Sequence, residues 1–290
     1  MAAGSGSRYG ALKQFAELGP SKEFLFEYSI YDALKNGFNH IVLITKENYV
    51  DELKDYLVIR IPKDIKIDVV PQVTTEIPEA LSEKILREKP WGTAHAVWVA
   101  KEYISNDFIV INADDYYGND AFKSASAFIN TTTDLHSFGI VPYQLKETLS
   151  KFGTVSRGIC EFVDGELKNI REMKTIGYEN GALLNISTRT KLNENDLASM
   201  NFWIFNSTIF SEIEKQFILF LEKNTFSEKE ELLIPDVIQN MIEKNIIKVI
   251  PAKECASWFG VTYAEDKSNA MSTLNELTQN NSYPSPLWKN

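Results

Sequence analysis

The residues most able to do chemistry stand in the opening segment MAAGSGSRYGALK, where a glycine-rich turn at Gly4 to Gly6 is followed by Ser7, Arg8 and Lys13. Glycines let bare backbone N–H groups approach a ligand closely, and two nearby cations can neutralise polyphosphate oxygens. The pattern reads as a grip for a nucleoside triphosphate. Tyr9 stands where a dinucleotide fingerprint needs its third glycine, and the Gly-Lys-Ser/Thr of a P-loop is absent, so NAD binding and P-loop ATPase chemistry are disfavoured.

Asp114 and Asp115 follow FIVIN (Phe108 to Asn112), which reads as the cleanest buried strand of the chain. Ligands of open α/β sheets gather at the carboxyl ends of strands. Neighbouring residues of a strand point in opposite directions, so one carboxylate of the pair faces the site. Asp114 is assigned as the ligand of a Mg²⁺ that bridges phosphate oxygens, and Asp115 as a cap of the next helix. In KPWGTAHAV, Gly92 leaves room for a flat base against the backbone and Thr93 is placed to cap the helix that follows. His95 reads as a packed side chain. Among the aromatics, Trp203, Trp258 and Phe259 read as core, and Trp91 as the one placed to stack beside the base.

These groups need a scaffold. Glu27 to Phe38 carries apolar residues at helical spacing and stops at Gly37; HIVLIT is a strand, Asn48 to Val58 a helix and Lys66 to Val70 a strand. Such alternation predicts a sheet with helices on both faces. Gln72 to Pro90 reads as a long loop over the sheet's carboxyl edge, and Thr93 to Ile104 as a helix. In the middle third, SFGIV, TVSRGICEFV and ELKNIREM read as short strands, two of them joined in a hairpin at Asp164 and Gly165. Met200 to Phe205 is a further strand, followed by helices at about 208 to 222 and 229 to 244. IIKVIP is the last strand, and a final helix begins near Ala264. The expected fold is α/β: a Rossmann-like mixed, mainly parallel sheet with helices on both faces and a small β-rich insertion. The chain is expected to be one domain over 1–290, with a nucleotide-binding half to about 135, an acceptor-binding half at about 136–260, and a C-terminal helix and tail from about 261.

Composition narrows the partners. The 290 residues are 44% apolar, and 30 basic against 40 acidic residues leave a net charge of −10. This repels nucleic acid and anionic membranes, so an anionic substrate must be met by focused groups such as Arg8, Lys13 and a metal ion. Two cysteines, Cys160 and Cys255, are too few for a disulfide framework and read as buried thiols of a reducing compartment. With no signal peptide and no long apolar stretch, a cytoplasmic location is expected. His40, His95 and His136 show no metal-ligand spacing.

GSGSRYGALK, KPWGTAHAV, NADDYYG, FGTVSRG, the Asn of MNFWIF, and WFGVTY occur in the order seen in the sugar-phosphate nucleotidyltransferases and span nearly the whole chain. The sequence resembles the bacterial branch related to glucose-phosphate thymidylyl- and uridylyltransferases, whose members join an NTP to a phosphorylated small molecule and release pyrophosphate. The resemblance implies that Ala3, Gly4, Gly6, Ser7 and Arg8 hold the nucleotide's phosphates. Lys13 would neutralise charge at the α-phosphate, Gly92 and Thr93 would border the base, and Asp114 would bind Mg²⁺. Gly153 and Glu172 would orient the acceptor, with Asn201 as an acceptor or ribose contact and Lys174 on the acceptor phosphate. The family's common Lys-Pro after the glutamate is Met173 and Lys174 here, which shifts that lysine by one. Gly260 stands where relatives often carry a second metal-binding aspartate, so either Asp266 or a substrate oxygen would compensate, or the metal would be held differently. Pro90 replaces a base-reading glutamine of some uridylyltransferases, leaving UTP, CTP and dTTP open.

In that family a hydrophobic strand precedes the glycine-rich loop, whereas only Met1, Ala2 and Ala3 do so here, too few for a strand of about five or six residues. The native reading frame is therefore expected to extend upstream of Met1. Because the acceptor's phosphate oxygen is already an anion, no protein nucleophile or general base is required, and catalysis consists of alignment and charge stabilisation. The expected partners are an NTP and a phosphorylated small molecule, with Mg²⁺ as cofactor and room for a homo-oligomer. Two alternatives stand beside this reading: a cytidylyltransferase for a non-sugar phosphate such as phosphocholine, and a non-catalytic sugar-nucleotide-binding protein.

Overall fold

The computed structural model describes residues 1–4, 15–79, 87–224, 229–253, 258–261 and 265–288. In chain order its first half contains α1 (Leu25–Lys35), β1 (His40–Thr45), α2 (Val50–Arg60), β2 (Lys66–Pro71), α3 (Thr93–Trp98), β3 (Phe108–Val110), β4 (Asp115–Tyr116) and α4 (Asn119–Thr131). There follow β5 (Ser137–Gln144), β6 (Val155–Val163), β7 (Glu166–Glu179), β8 (Ala182–Asn185), β9 (Thr190–Lys191) and β10 (Leu197–Phe205). The chain then forms α5 (Thr208–Asn224), α6 (Ile234–Glu243), β11 (Lys248–Pro251), β12 (Phe259–Gly260) and α7 (Asp266–Gln279).

The sheet is mixed. Parallel pairs join β1 to β2 and β11 to β5, whereas β10 pairs antiparallel with β3, β5 and β6, and the middle third continues antiparallel through β7, β8 and β9. The alternating side chains of the central strands explain why helices cover both faces. On β5 and β10, Phe138, Ile140, Trp203 and Phe205 enter one cluster with residues of α3, α5 and α6. Their neighbours Val141, Tyr143, Phe202 and Ile204 enter another with Ala121, Phe122 and Ala125 of α4. A period of two thus sends successive residues to opposite layers, and each fully buried Phe or Ile contributes about 1.5–3 kcal/mol.

Several expected elements shift for local reasons. The helix expected at 229–244 starts only at Ile234, with Pro235 in its first turn, where a missing N–H costs nothing. The helix expected over Thr93 to Ile104 ends at Trp98 and gives way to a single 3₁₀ turn at Lys101–Tyr103. Helix α4 begins directly after Gly118, whose φ of 75° ends the preceding segment. FIVIN is not the most buried strand: Phe108 and Ile109 are half-buried, because their outer edge faces a slot.

The loop after β2 is fastened to α3. Gln72 Nε2 donates to Gly92 O at 3.1 Å, and Trp91 Nε1 donates to Thr74 O at 2.8 Å. His95 bridges the two: Nε2 donates to Glu76 O at 2.8 Å, and Nδ1 accepts from Gln72 Nε2 at 3.1 Å. Burial pulls the His95 pKa down to about 4, opposed by its bond to Glu76.

At the other end of the molecule, buried carboxylates on and beside α1 hold the C-terminal tail. Leu287 N donates to Glu23 Oε1 at 3.0 Å, Trp288 Nε1 to Glu27 Oε2 at 2.8 Å and Tyr283 OH to Asp32 Oδ2 at 2.6 Å. Burial raises the carboxyl pKa of Glu27 and pushes that of Asp32 up to about 7. Cys160 is a buried free thiol, and Cys255 lies outside the described residues. Among the described residues, no helix is long and apolar enough to cross a membrane.

Candidate active site

The register of the central strands lines up the polar groups. Glu172 on β7 pairs with Gly158 on β6, which pairs with Ser199 on β10, so the three lie in one row across the sheet. Beyond Ser199 the β10 register slips, and Asn201 takes φ 59°, a left-handed conformation that asparagine tolerates better than most residues. Asn201 Oδ1 accepts from Trp203 Nε1 at 3.4 Å. The bulge brings Asn201 to the wall of a cavity of about 260 Å³ that Glu172, Gly158, Ser199 and Met200 also line. Asn112, Asp114 and Asp115 close it from the carboxyl end of β3, Thr93 from the start of α3, Leu233 and Pro235 from α6, and Trp258 from the approach to β12.

Asp114 and Asp115 both reach this cavity. Alternation does not separate them, because the chain turns at Ala113 and Asp114 and pairing resumes only at Asp115. Asp115 does not cap α4. Its carboxylate accepts from Asn112 Nδ2 at 2.9 Å and from Tyr117 OH at 3.3 Å.

Gly260 lies opposite Asp115 in the β4/β12 pair, and a Cβ there would stand 2.5 Å from Asp115 Oδ1 and 2.9 Å from the Trp258 ring. The space a side chain at 260 would fill is thus taken by the Asp115 carboxylate. Asp266, proposed from sequence as compensation, is held elsewhere: its Oδ1 accepts from Ser150 Oγ at 3.3 Å, and neither residue lines the cavity.

Burial raises the Glu172 carboxyl above its usual range, and Asp236 pushes it further, while Arg157 and Lys174 oppose the shift. Arg157 is the only Lys or Arg in the cavity wall among the described residues. Its guanidinium donates to Thr148 O and, at 2.8 Å, to Ser156 O, and lies 5.1 Å from the centre of the Trp258 ring. Lys174 lies outside that wall, as does Gly153, which sits in an exposed bend ahead of Ser156.

Three further expectations change. Gly92 does take a conformation suited to glycine, φ 106°, but the close approach it permits is to the backbone of Leu232, whose carbonyl oxygen would lie 2.4 Å from an added Cβ. Thr93 Oγ1 caps α6 rather than its own helix, accepting from Ile234 N at 3.0 Å. Trp91 is fully buried against Phe217 and Phe220, with Arg87 4.2 Å from its ring centre, so it is core and not a stacking platform.

Ala3 is buried and Gly4 has open space around it, while Gly6, Ser7, Arg8 and Lys13 lie outside the described residues. Residues that sequence reasoning missed are Asp115, Asn112, Arg157 and Trp258. The signals for two of them were present, in the doubled aspartate and in the Arg of FGTVSRG.

Comparisons with known proteins bear on the fold and the family. The "Bifunctional protein GlmU" of Methanococcus maripaludis strain C7 is 27% identical over 200 residues, 68% of this chain and 37% of that protein. The protein of the same name from Methanococcus vannielii is 27% identical over 201 residues, 69% of this chain and 38% of that one. The chain thus spans well under half the length of these curated relatives. Two solved structures share its fold with a TM-score of 0.63: the inositol-1-phosphate CTP transferase from T. maritima (17% identity, 95% of this chain and 94% of the other) and a putative glucose-1-phosphate thymidylyltransferase from Bacillus anthracis (14%, 95% and 93%). UDP-glucose pyrophosphorylase complexed with UDP-glucose superposes with a TM-score of 0.59 at 18% identity, over 95% of this chain and 96% of the other. The family model for nucleotidyl transferases matches residues 1–261. With that match over most of its length, the chain belongs to the nucleotidyl transferase family of enzymes.

Proposed function

We propose that this chain transfers a nucleoside monophosphate from an NTP to a sugar 1-phosphate or similar phosphorylated small molecule, releasing pyrophosphate, with Mg²⁺ as cofactor. The observation that carries the reading is the meeting of Glu172 and Asn201 with Asp114 and Asp115 around one cavity of about 260 Å³. Carboxylate and amide groups suit the hydroxyls of a small polyol, and the aspartates supply hard oxygens beside them.

The donor set fits a divalent cation. Mg²⁺ is commonly held by one or two carboxylates together with substrate phosphates, and Gly260 keeps open the space that the second carboxylate, Asp115, occupies. Asp114 and Asp115 would hold the ion. When bound it neutralises charge on the phosphate oxygens as a Lewis acid.

The chain's own residues supply binding and alignment. Glu172 accepts from acceptor hydroxyls, and Asn201 contacts the acceptor or the ribose. Arg157, rather than Lys174, faces the acceptor phosphate from the cavity wall. Ala3, Gly4, Gly6, Ser7 and Arg8 hold the triphosphate, with Thr93 bordering the base and Lys13 neutralising charge at the α-phosphate. An acceptor phosphate oxygen attacks the α-phosphorus while the bond from that phosphorus to pyrophosphate breaks in line. That oxygen is already anionic, so no residue has to remove a proton.

The reading is tested with a panel of UTP, CTP and dTTP against phosphorylated acceptors, scored by pyrophosphate release. Turnover with a sugar 1-phosphate and one of these donors is expected. Turnover with phosphocholine and CTP alone would replace it by the cytidylyltransferase reading. NTP binding without release for any acceptor would replace it by that of a sugar-nucleotide-binding protein.

A further inference from the structure

Asp115 stands on a strand too short to hold itself. β4 is two residues long and, among the described residues, pairs with one strand only, the equally short β12, so the ladder alone does not fix where Asp115 points. Its two residues divide between opposite layers, as neighbours in a strand do. Asp115 reaches the acceptor cavity, and Tyr116 enters the apolar layer formed by α1 and the C-terminal segment. A rotation of β4 that moves one of these side chains therefore moves the other.

Tyr116 and its strand are held from three directions. The Tyr116 ring stacks on Phe259 of β12, with ring centres 4.5 Å and planes 16° apart. Ser29 Oγ of α1 donates to Asp115 O at 3.5 Å. The Tyr116 hydroxyl lies 2.9 Å from that of Tyr283, which follows α7. Tyr283 OH donates its single proton to Asp32 Oδ2 at 2.6 Å, so toward Tyr116 it is left to accept. The result is a directed chain from Tyr116 through Tyr283 to Asp32, whose members are 5%, 4% and 1% exposed. Water does not replace a lost partner at such burial, so removing the middle hydroxyl strands both its neighbours. The Tyr283 ring is itself fixed edge-on against Tyr28 and Tyr31, with ring centres 5.0 Å and 5.6 Å away.

We propose that Tyr283 is a positioning residue for the acidic edge of the active site: through the Tyr116 hydroxyl it fixes the rotation of β4 and so aims the Asp115 carboxylate into the cavity. Neither Tyr283 nor Asp32 lines that cavity. Asn112 and Tyr117 hold one oxygen of the carboxylate, whereas Tyr283 holds the strand that carries it. Groups outside the coordination sphere orient ligands in this way. The consequence for an ion rests on the reading that Asp114 and Asp115 hold Mg²⁺; the consequence for Asp115 itself does not. Trp288 supplies a comparison, because it ties down the same C-terminal segment but bonds to Glu27, whose other hydrogen bonds come from Phe24 N and Tyr56 OH and not from β4.

The test sets Tyr283→Phe beside Trp288→Phe, each of which keeps an aromatic ring and loses one donor to α1. In the metal-free protein, the amide NMR signals of Asp115 and Gly260 are expected to move in Tyr283→Phe and to stay in place in Trp288→Phe. Calorimetric titration with Mg²⁺ alone is expected to show binding weakened by about fivefold or more in Tyr283→Phe, and within about twofold of the parent in Trp288→Phe. Unmoved signals in Tyr283→Phe, or equal movement in the two variants, would overturn the proposal. Moved signals in Tyr283→Phe alone, in a protein whose parent binds no Mg²⁺, would uphold the positioning of Asp115 and overturn the metal reading of the site instead. Should Tyr283→Phe not fold, Asp32→Asn weakens the same bond while keeping an acceptor. It is expected to move the same two signals, and their staying in place would equally overturn the proposal.

Discussion

Gly260→Ala is a one-carbon change whose cost can be worked from the structure. The added Cβ would stand 2.5 Å from Asp115 Oδ1 and 2.9 Å from the Trp258 ring, and Gly260 does not have positive φ, so contact alone sets the penalty. Asp115 cannot swing away freely, since its other oxygen accepts from Asn112 and Tyr117. Overpacking of this kind costs about 1–3 kcal/mol, and losing one of those buried hydrogen bonds adds a further ~1–3 kcal/mol. A destabilisation of about 2–6 kcal/mol is expected, which lowers Tm by roughly 5–15 °C. Urea unfolding of the parent, Gly260→Ala, Asp115→Ala and the double variant measures it. Because Asp115→Ala removes the clashing carboxylate, the double variant should lie at least ~1 kcal/mol above the additive value. Calorimetric titration with Mg²⁺ should show weaker binding in Gly260→Ala as well. A Gly260→Ala stability within about 0.5 kcal/mol of the parent, or an additive cycle, would refute the view that Gly260 makes room for Asp115.

Other outcomes follow from the same contacts. Glu172→Gln should raise the KM for the acceptor about tenfold or more while leaving the KM for the NTP nearly unchanged, as steady-state kinetics with each substrate varied would show. His95 is neutral when folded and titrates near pH 4, below its unfolded range near 6.5, so the folded state binds fewer protons between these values. Stability is therefore full above about pH 6.5 and falls by up to ~3 kcal/mol as the pH drops to 4; denaturant midpoints across that range should show the slope, and His95→Gln should flatten it. Trp288→Phe keeps the ring but removes the donor to Glu27, and chemical denaturation should register a loss of about 1.5–3 kcal/mol.

Periodicity made the helix ending at Lys35 and the strand HIVLIT legible, because each carries a full apolar pattern and clear ends. Sequence reading singled out Glu172, Asn201 and Asp114, and these residues, far apart in sequence, line one cavity. What could not be read depended on tertiary context. Asp115 looks like a helix cap until the turn at Ala113 and Asp114 brings it round to the same side as its neighbour. The glycine at 92 suggested an open backbone, yet the space above it is filled by Leu232 from a segment more than a hundred residues away. Which of Arg157 and Lys174 reaches the cavity depends on strand register: β6 and β7 pair with irregular register near these residues, and only Arg157 lines it. Half-burial of Phe108 and Ile109 reflects the slot beside them, which no local pattern in FIVIN encodes.

The central claim, that an acceptor phosphate displaces pyrophosphate from an NTP, is tested most directly by ³¹P NMR of the protein with an NTP, Mg²⁺ and a sugar 1-phosphate. The expected result is loss of the sugar 1-phosphate signal together with equal amounts of a nucleoside diphosphate sugar and free pyrophosphate, and no such conversion with Asp114→Asn. Unchanged spectra, or inorganic phosphate appearing without a new diphosphate diester, would contradict it.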